Sequence, residues 1–80
     1  YTSLEKQFKM LKLILMFQDE GNKAIDRGAT FGEIENLPVR ERISRVKYTA
    51  EEEMSAVFAD IEKELKEQVG VLLEGGKVNA

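Results

Sequence analysis

Apolar residues recur along this chain with the period of amphipathic helices. In the C-terminal half, seven apolar residues are spaced three or four positions apart, except for the adjacent pair Val57 and Phe58: Met54, Val57, Phe58, Ile61, Leu65, Val69 and Leu72. This spacing puts them on one stripe of a helix, with charged residues such as Lys63 and Glu67 opposite. We predict this helix over residues 50–74, ended by Gly75 and Gly76.

A second long helix is predicted at the start of the chain, over residues 3–27. Gly28 follows it and is free to take the left-handed conformation that closes many helices. Between Met10 and Phe17 only Lys12 interrupts the apolar residues. Since these residues surround the helix axis instead of lining one side, we predict a central helix packed on several sides.

Local signals between the long helices predict two short ones. Thr-x-x-Glu tetrads begin at Thr2, Thr30 and Thr49, and each suits the capping box of a helix N-terminus. The second tetrad opens a helix over residues 31–36, and Pro38 is suited to the first position of another over 38–47. No segment alternates like a strand. The predicted fold is therefore all-α, a compact bundle of about four helices, two long and two short, with a frayed tail at 77–80.

Composition narrows the possible functions. Eighty residues form at most one domain, and 12 basic against 15 acidic residues give a net charge of −3, which argues against nucleic-acid binding. The chain has no histidine and no cysteine, so histidine catalysis, histidine-ligated metals and disulfides are excluded. Its longest apolar run is too short for membrane insertion. It opens at Tyr1 without an initiator methionine, so we interpret it as a piece of a larger protein.

Two motifs suggest chemistry and are better explained by helix structure. A Gly75-Gly76-Lys77 sequence resembles part of a phosphate-binding loop, but Val71 and Val78 stand where that loop needs glycine and a hydroxyl residue. The acidic run 51–53 suggests a divalent cation site, yet consecutive helical residues splay around the axis. We interpret the run as a complement to the helix dipole and predict no catalytic, cofactor or metal site in this chain.

A basic segment stands out against the acidic chain. Residues 37–48 hold four cations at Arg40, Arg42, Arg45 and Lys47, and the apolar residues among them share one helix face. Three uses of the cations stay open: ion pairs within the domain, docking on an acidic protein partner, or contact with phosphates. We take the four as possible protein-contact residues, although their positions do not share one face.

Two stretches of the chain resemble one protein family. The segments Ser3-Leu-Glu-Lys-Gln-Phe-Lys-Met-Leu-Lys-Leu-Ile14 and Leu37-Pro-Val-Arg-Glu-Arg-Ile-Ser-Arg-Val-Lys-Tyr48 resemble the C-terminal helical region of the catalytic A (alpha) subunit of archaeal and bacterial V-type (A-type) rotary ATPases. In that family, a helix of the first type is followed by a short helix, the second segment and a last amphipathic helix.

This resemblance implies a parent that couples ATP hydrolysis or synthesis to proton or sodium transport through a central stalk. ATP, ADP and Mg²⁺ would bind the parent upstream of Tyr1, and none of the family's catalytic residues falls in this chain. The implied partners are the rest of the A subunit, B subunits and the stalk, in a cytoplasmic, peripheral membrane complex. The alternative is a free-standing helical protein-interaction module. We also expect the isolated chain to self-associate through uncovered apolar residues around Met10–Met16.

Overall fold

The computed structural model describes the backbone of residues 3–79 and the side chains of residues 3–74. Within that part the chain forms four α-helices and two 3₁₀ turns: α1 Leu4–Asp26, α2 Phe31–Glu35, α3 Pro38–Arg45, the turns Val46–Tyr48 and Glu51–Glu53, and α4 Met54–Asn79. The described chain is elongated, 46 × 16 × 15 Å, because two long helices run side by side with the short ones packed against them. The predicted all-α bundle with two long and two short helices is confirmed.

Three helix ends form where short-range sequence signals place them. The Oγ of Thr30 accepts from the Glu33 N–H, and the Glu33 carboxylate accepts from the Thr30 N–H, which completes a capping box. At the end of α1, Gly28 has φ 108°, and the Ala29 N–H donates to the Ala24 carbonyl. This is the left-handed closure expected at a glycine. Pro38 is the first residue of α3, as predicted.

The core lies along the predicted stripe of α4. Met54, Phe58, Ile61, Leu65 and Val69 are all buried. They pack in one cluster with Leu13 and Ala24 of α1, Ile34 of α2, Val39 of α3 and Val46 of the first 3₁₀ turn. The basic segment therefore turns its apolar face inward between the two long helices, because burying it removes that face from water.

The prediction for α1 as a helix packed on several sides is wrong. It packs on one side only, where Leu13 is 1% exposed, while Leu11, Ile14 and Leu15 are each about half exposed. The dense apolar sequence belongs to two separate faces, and this chain covers only one of them. Pattern alone does not show how many neighbours are present to cover a helix.

Three other local predictions differ from the structure. Ser3 caps α1 through the Lys6 N–H, whereas Thr2 lies outside the described residues. The tetrad at Thr49 forms no capping box, because Thr49 closes the preceding 3₁₀ turn by donating its N–H to the Val46 carbonyl. The last helix continues past the predicted stop at Gly75 to residue 79. A glycine costs a helix only about 1 kcal/mol, which is a preference and not a barrier.

Candidate interaction surfaces

The first candidate surface is a second apolar face of α1, which we call the outer face. It consists of Leu4, Phe8, Leu11 and Leu15, whose exposed fractions are 83, 71, 52 and 54%. They follow one another at intervals of four, three and four, so they align along the helix. At 100° per residue this line lies roughly opposite the buried Leu13, and a soluble protein seldom leaves four large apolar side chains together in water.

A groove continues from the far end of this face. It has a volume of about 410 Å³ and is lined by Ile14 and Ile25 of α1, the exposed Phe31 of α2, and Ile43 of α3. Gly21 forms part of its lining, and a Cβ there would lie 3.1 Å from Ile34 Cγ2. The small residue therefore lets α2 approach α1 closely and shapes the groove between them.

Arg42 connects α3 to α4 through a relay of hydrogen bonds. Its Nη2 lies 2.6 Å from Asp60 Oδ2, and its Nη1 lies 2.5 Å from Glu64 Oε2. Gln68 Nε2 donates to Glu64 Oε1 at 2.9 Å, while Gln68 Oε1 accepts from the Val39 N–H at 2.9 Å. The hydrogen bond to Glu64, followed by that to Asp60, raises the pKa of the Arg42 guanidinium above its usual value. The relay holds the first and middle turns of α3 against α4.

The other predicted contact residues divide between two roles. Arg40 pairs with Glu35 across the joint between α2 and α3. In the part of the chain whose side chains are described, Arg45 and Lys47 have no acidic partner, and both are exposed. The Lys47 ammonium lies 5.1 Å from the ring centre of Tyr48, itself 78% exposed. The four cations thus do not form one site: two join helices of this domain, and two face solvent.

Lys6 forms a contact that the sequence pattern did not reveal. It is only 4% exposed, and its Nζ donates to the carbonyls of Lys47, at 2.9 Å, and Thr49. Beside it, the Ser3 N–H donates to Glu51 Oε1 at 3.0 Å. The ammonium satisfies the carbonyls at the C-terminal end of a 3₁₀ turn, where positive charge is favoured. These contacts fasten the start of α1 to the connection between α3 and α4.

The acidic run 51–53 forms the second 3₁₀ turn, directly before α4. Among the residues that the structure describes, no group of three or more acidic side chains is placed to hold a metal ion. In the same residues, no helix is both long and apolar enough to cross a bilayer. The features that the described residues do show are the Lys6 and Arg42 contacts between elements and the uncovered outer face of α1.

Comparison with known proteins shows to which family this chain belongs. The chain is 50% identical over its whole length to the V-type ATP synthase alpha chain of Thermoanaerobacter sp. (strain X514). It is 51% identical, over an 81-residue alignment that covers all of it, to that of Clostridium perfringens. The chain belongs to the V-type ATP synthase alpha-chain family. The similarity extends through both α1 and the basic segment, which confirms the resemblance seen in the sequence.

The matched relatives are much longer than this chain. It spans 13% of the Thermoanaerobacter alpha chain and 12% of the Acetivibrio thermocellus one, to which it is 52% identical over 73 residues. It corresponds to a C-terminal segment of these alpha chains. Neither a family model nor a solved structure matches it. An outer face without a cover is what a segment of a larger subunit is expected to show.

Proposed function

We propose that this chain serves a V-type ATP synthase as the C-terminal segment of its alpha chain, where it supports the coupling of ATP hydrolysis or synthesis to rotary transport of protons or sodium ions. The observation that carries the proposal is that about half of the positions are identical to those of alpha chains along the whole length of this chain. ATP, ADP and Mg²⁺ would be bound by the remainder of the subunit. The segment would work in a cytoplasmic, peripheral membrane complex together with B subunits and the central stalk.

The joints between its helices support a mechanical role. The Arg42 relay ties the first and middle turns of α3 to α4, and the Lys6 contacts tie the turn that follows α3 to α1. Charge-assisted hydrogen bonds of this kind fix orientation as well as adding stability. A segment tied in this way moves as one body, which is the property needed to pass a displacement from a nucleotide-binding domain to a stalk.

A chimera tests this proposal. We would replace the aligned segment of the full-length Thermoanaerobacter alpha chain with this chain, assemble the complex, and measure ATP hydrolysis and ATP-driven ion transport. We expect both activities to be retained. In the chimera, Arg42→Ala is expected to lower the ions moved per ATP hydrolysed, because it releases α3 from α4. Arg45→Ala is the matched control, since Arg45 lies on the same helix without a described acidic partner.

Two results would contradict the proposal. Failure of the chimera to assemble or to hydrolyse ATP would show that the segment does not serve this subunit. An unchanged ratio of transport to hydrolysis in the Arg42 variant would show that the joint plays no part in coupling. For the isolated chain we expect no shift of its melting temperature on adding ATP with Mg²⁺, because the nucleotide site is proposed to lie elsewhere in the subunit.

A free-standing interaction module is the second candidate. The observation in its favour is the uncovered outer face, which a partner protein or a second copy could occupy. The same chimera separates the two candidates, because a free-standing module has no reason to replace a segment of an ATP synthase subunit.

A further inference from the structure

We propose that the outer face of α1 binds the outer face of a second copy of this chain, so that the two α1 helices lie antiparallel with Leu4 of one copy beside Leu15 of the other. This pairing goes beyond the proposed function, because it concerns a self-complementary surface to which the similarity with alpha chains assigns no role. Three features of α1 support it: the spacing of its exposed apolar residues, the polar residues that end their line, and the charges beside that line.

The spacing of the outer face fits another helix. Intervals of four, three and four from Leu4 to Leu15 are the a and d positions of a heptad pattern, and all four side chains are at least half exposed. Such a seam receives the side chains of one facing helix at a small crossing angle, with the axes about 8–10 Å apart. A second α1 offers the same seam, so two copies related by a twofold axis bury their outer faces against each other.

Polar residues at the end of the seam set how the two helices align. The a and d positions continue into Gln18 and Asn22, which are exposed and polar, so the apolar part of the seam ends at Leu15 and is about 16 Å long. An antiparallel pair with Leu4 facing Leu15 has apolar residues on both sides of every layer. Moving one copy by seven residues puts Leu4 opposite Asn22 and leaves only half of these layers apolar, which gives up part of the buried surface.

Charges beside the seam favour the same alignment. Glu5 and Lys12 lie at successive e positions along one flank of the outer face. With Leu4 facing Leu15, Glu5 of each copy lies opposite Lys12 of the other, which gives two ion pairs related by the twofold axis. The alignment moved by seven residues sets Lys12 opposite Lys12 and Glu5 opposite Asp19, and contacts between like charges destabilise it.

Lys12 is available for such an ion pair. It is exposed, and among the side chains that the structure describes it has no acidic partner. Glu5 is 70% exposed and lies 3.6 Å from Lys9 of its own helix, but its carboxylate has two oxygens and accepts from both lysines. A parallel pair leaves these charges unused, because it sets Lys12 against the other flank, which carries the uncharged Gln7 and Ile14.

Sedimentation of this chain from micromolar to millimolar concentrations tests the pairing. Since the seam is short, we expect a weak, reversible dimer. Lys12→Glu should raise its dissociation constant about tenfold, because two attractive contacts become repulsive. Lys66→Glu makes the same charge change on the exposed side of α4 and should leave the dissociation constant unchanged. A chain that stays monomeric at millimolar concentration would show that the outer face does not bind a second copy.

Charge reversal on both sides of the pair tests which residues meet. Glu5→Lys should weaken the dimer as Lys12→Glu does, whereas an equal mixture of the two variants regains both ion pairs and should associate about tenfold more tightly than either alone. Asp19→Lys is the control for Glu5→Lys. Its side chain is similarly exposed, at 67%, and it also loses a lysine partner four residues further on, but it lies beyond the matched stretch. A mixture that regains no affinity, or a tighter dimer of the Asp19→Lys variant, would overturn the proposed alignment.

Disulfide formation reports the direction of the pair without any change of charge. The chain has no cysteine, so Leu4→Cys and Leu15→Cys each give a single thiol. In a redox buffer, an equal mixture of the two variants should form the mixed disulfide, because the two positions share a layer of the antiparallel pair. Disulfides between identical variants would show a parallel pair and overturn the proposal, and so would the absence of any disulfide while circular dichroism shows folded chains. None of these results involves nucleotide or transport, so a coupled chimera together with a monomeric chain would refute this inference alone.

Discussion

Replacing Lys6 with methionine should destabilise this chain more than replacing any other lysine of α1. Methionine keeps the apolar stem but removes the ammonium that donates to the Lys47 and Thr49 carbonyls. Leaving a buried acceptor without its donor costs about 1–3 kcal/mol, and two carbonyls are affected. Because the cost of the buried charge also disappears, we expect a net loss of about 2–3 kcal/mol.

This loss is a large part of the stability of so short a chain. At about 0.05–0.15 kcal/mol per residue, 80 residues give about 4–12 kcal/mol. With a urea dependence near 1–2 kcal/mol per molar, the unfolding midpoint should fall by about 1–3 M. Urea unfolding followed by far-ultraviolet circular dichroism, at a concentration where the chain is monomeric, measures this shift.

Lys9→Met is the matched control for Lys6→Met. Lys9 lies one turn later and also donates to the region after the basic segment, to Ser55 Oγ at 3.2 Å, but its side chain is 35% exposed. Contacts at this exposure contribute less than about 1 kcal/mol. Equal midpoints for the two variants, or a Lys6→Met midpoint within error of the unsubstituted chain, would refute the role given to the buried ammonium.

Three further predictions concern the core, the backbone and the outer face. Ile61→Ala should cost about 2–5 kcal/mol in urea unfolding because Ile61 is fully buried, whereas Val71→Ala, at 68% exposure, should change little. Gly70→Ala should raise the melting temperature, since a Cβ there meets nothing within 4 Å and alanine favours a helix by about 1 kcal/mol, while Gly28→Ala should lower it because of the positive φ. Phe8→Lys should weaken the self-association expected of the isolated chain in sedimentation; unchanged association would place the contact elsewhere.

Part of the fold could be predicted from the sequence because it depends on neighbouring residues. The capping box at Thr30, the closure at Gly28 and the start of α3 at Pro38 each follow from contacts within six residues. The stripe of α4 is equally local, since its period of three to four residues alone puts Ile61 and Leu65 on one face. The family resemblance also rested on sequence alone, and the comparison with alpha chains confirmed it.

The contacts at the candidate surfaces were harder to predict from the sequence than the helix ends. Of the four cations predicted as possible contact residues, Arg40 and Arg42 form ion pairs with acidic residues of this domain. The sequence pattern did not distinguish this use from docking on a protein partner. The roles of Lys6 and Gln68 were not predicted, because each side chain forms a hydrogen bond with a backbone group that is distant in sequence. A lysine one turn into a helix gives no local sign that it will be buried.

Sequence by itself thus determined the helices, their order and the family, because caps, periods and turns are properties of short stretches. The tertiary structure decided which of the two apolar faces of α1 is covered and where Lys6 and Arg42 find their partners. These depend on which other surfaces come close, and that is set by residues about 20 to 45 positions away along the chain. A dense apolar stretch indicates that a helix has apolar faces to cover; only the packed structure shows that this chain covers one of them and leaves the other exposed.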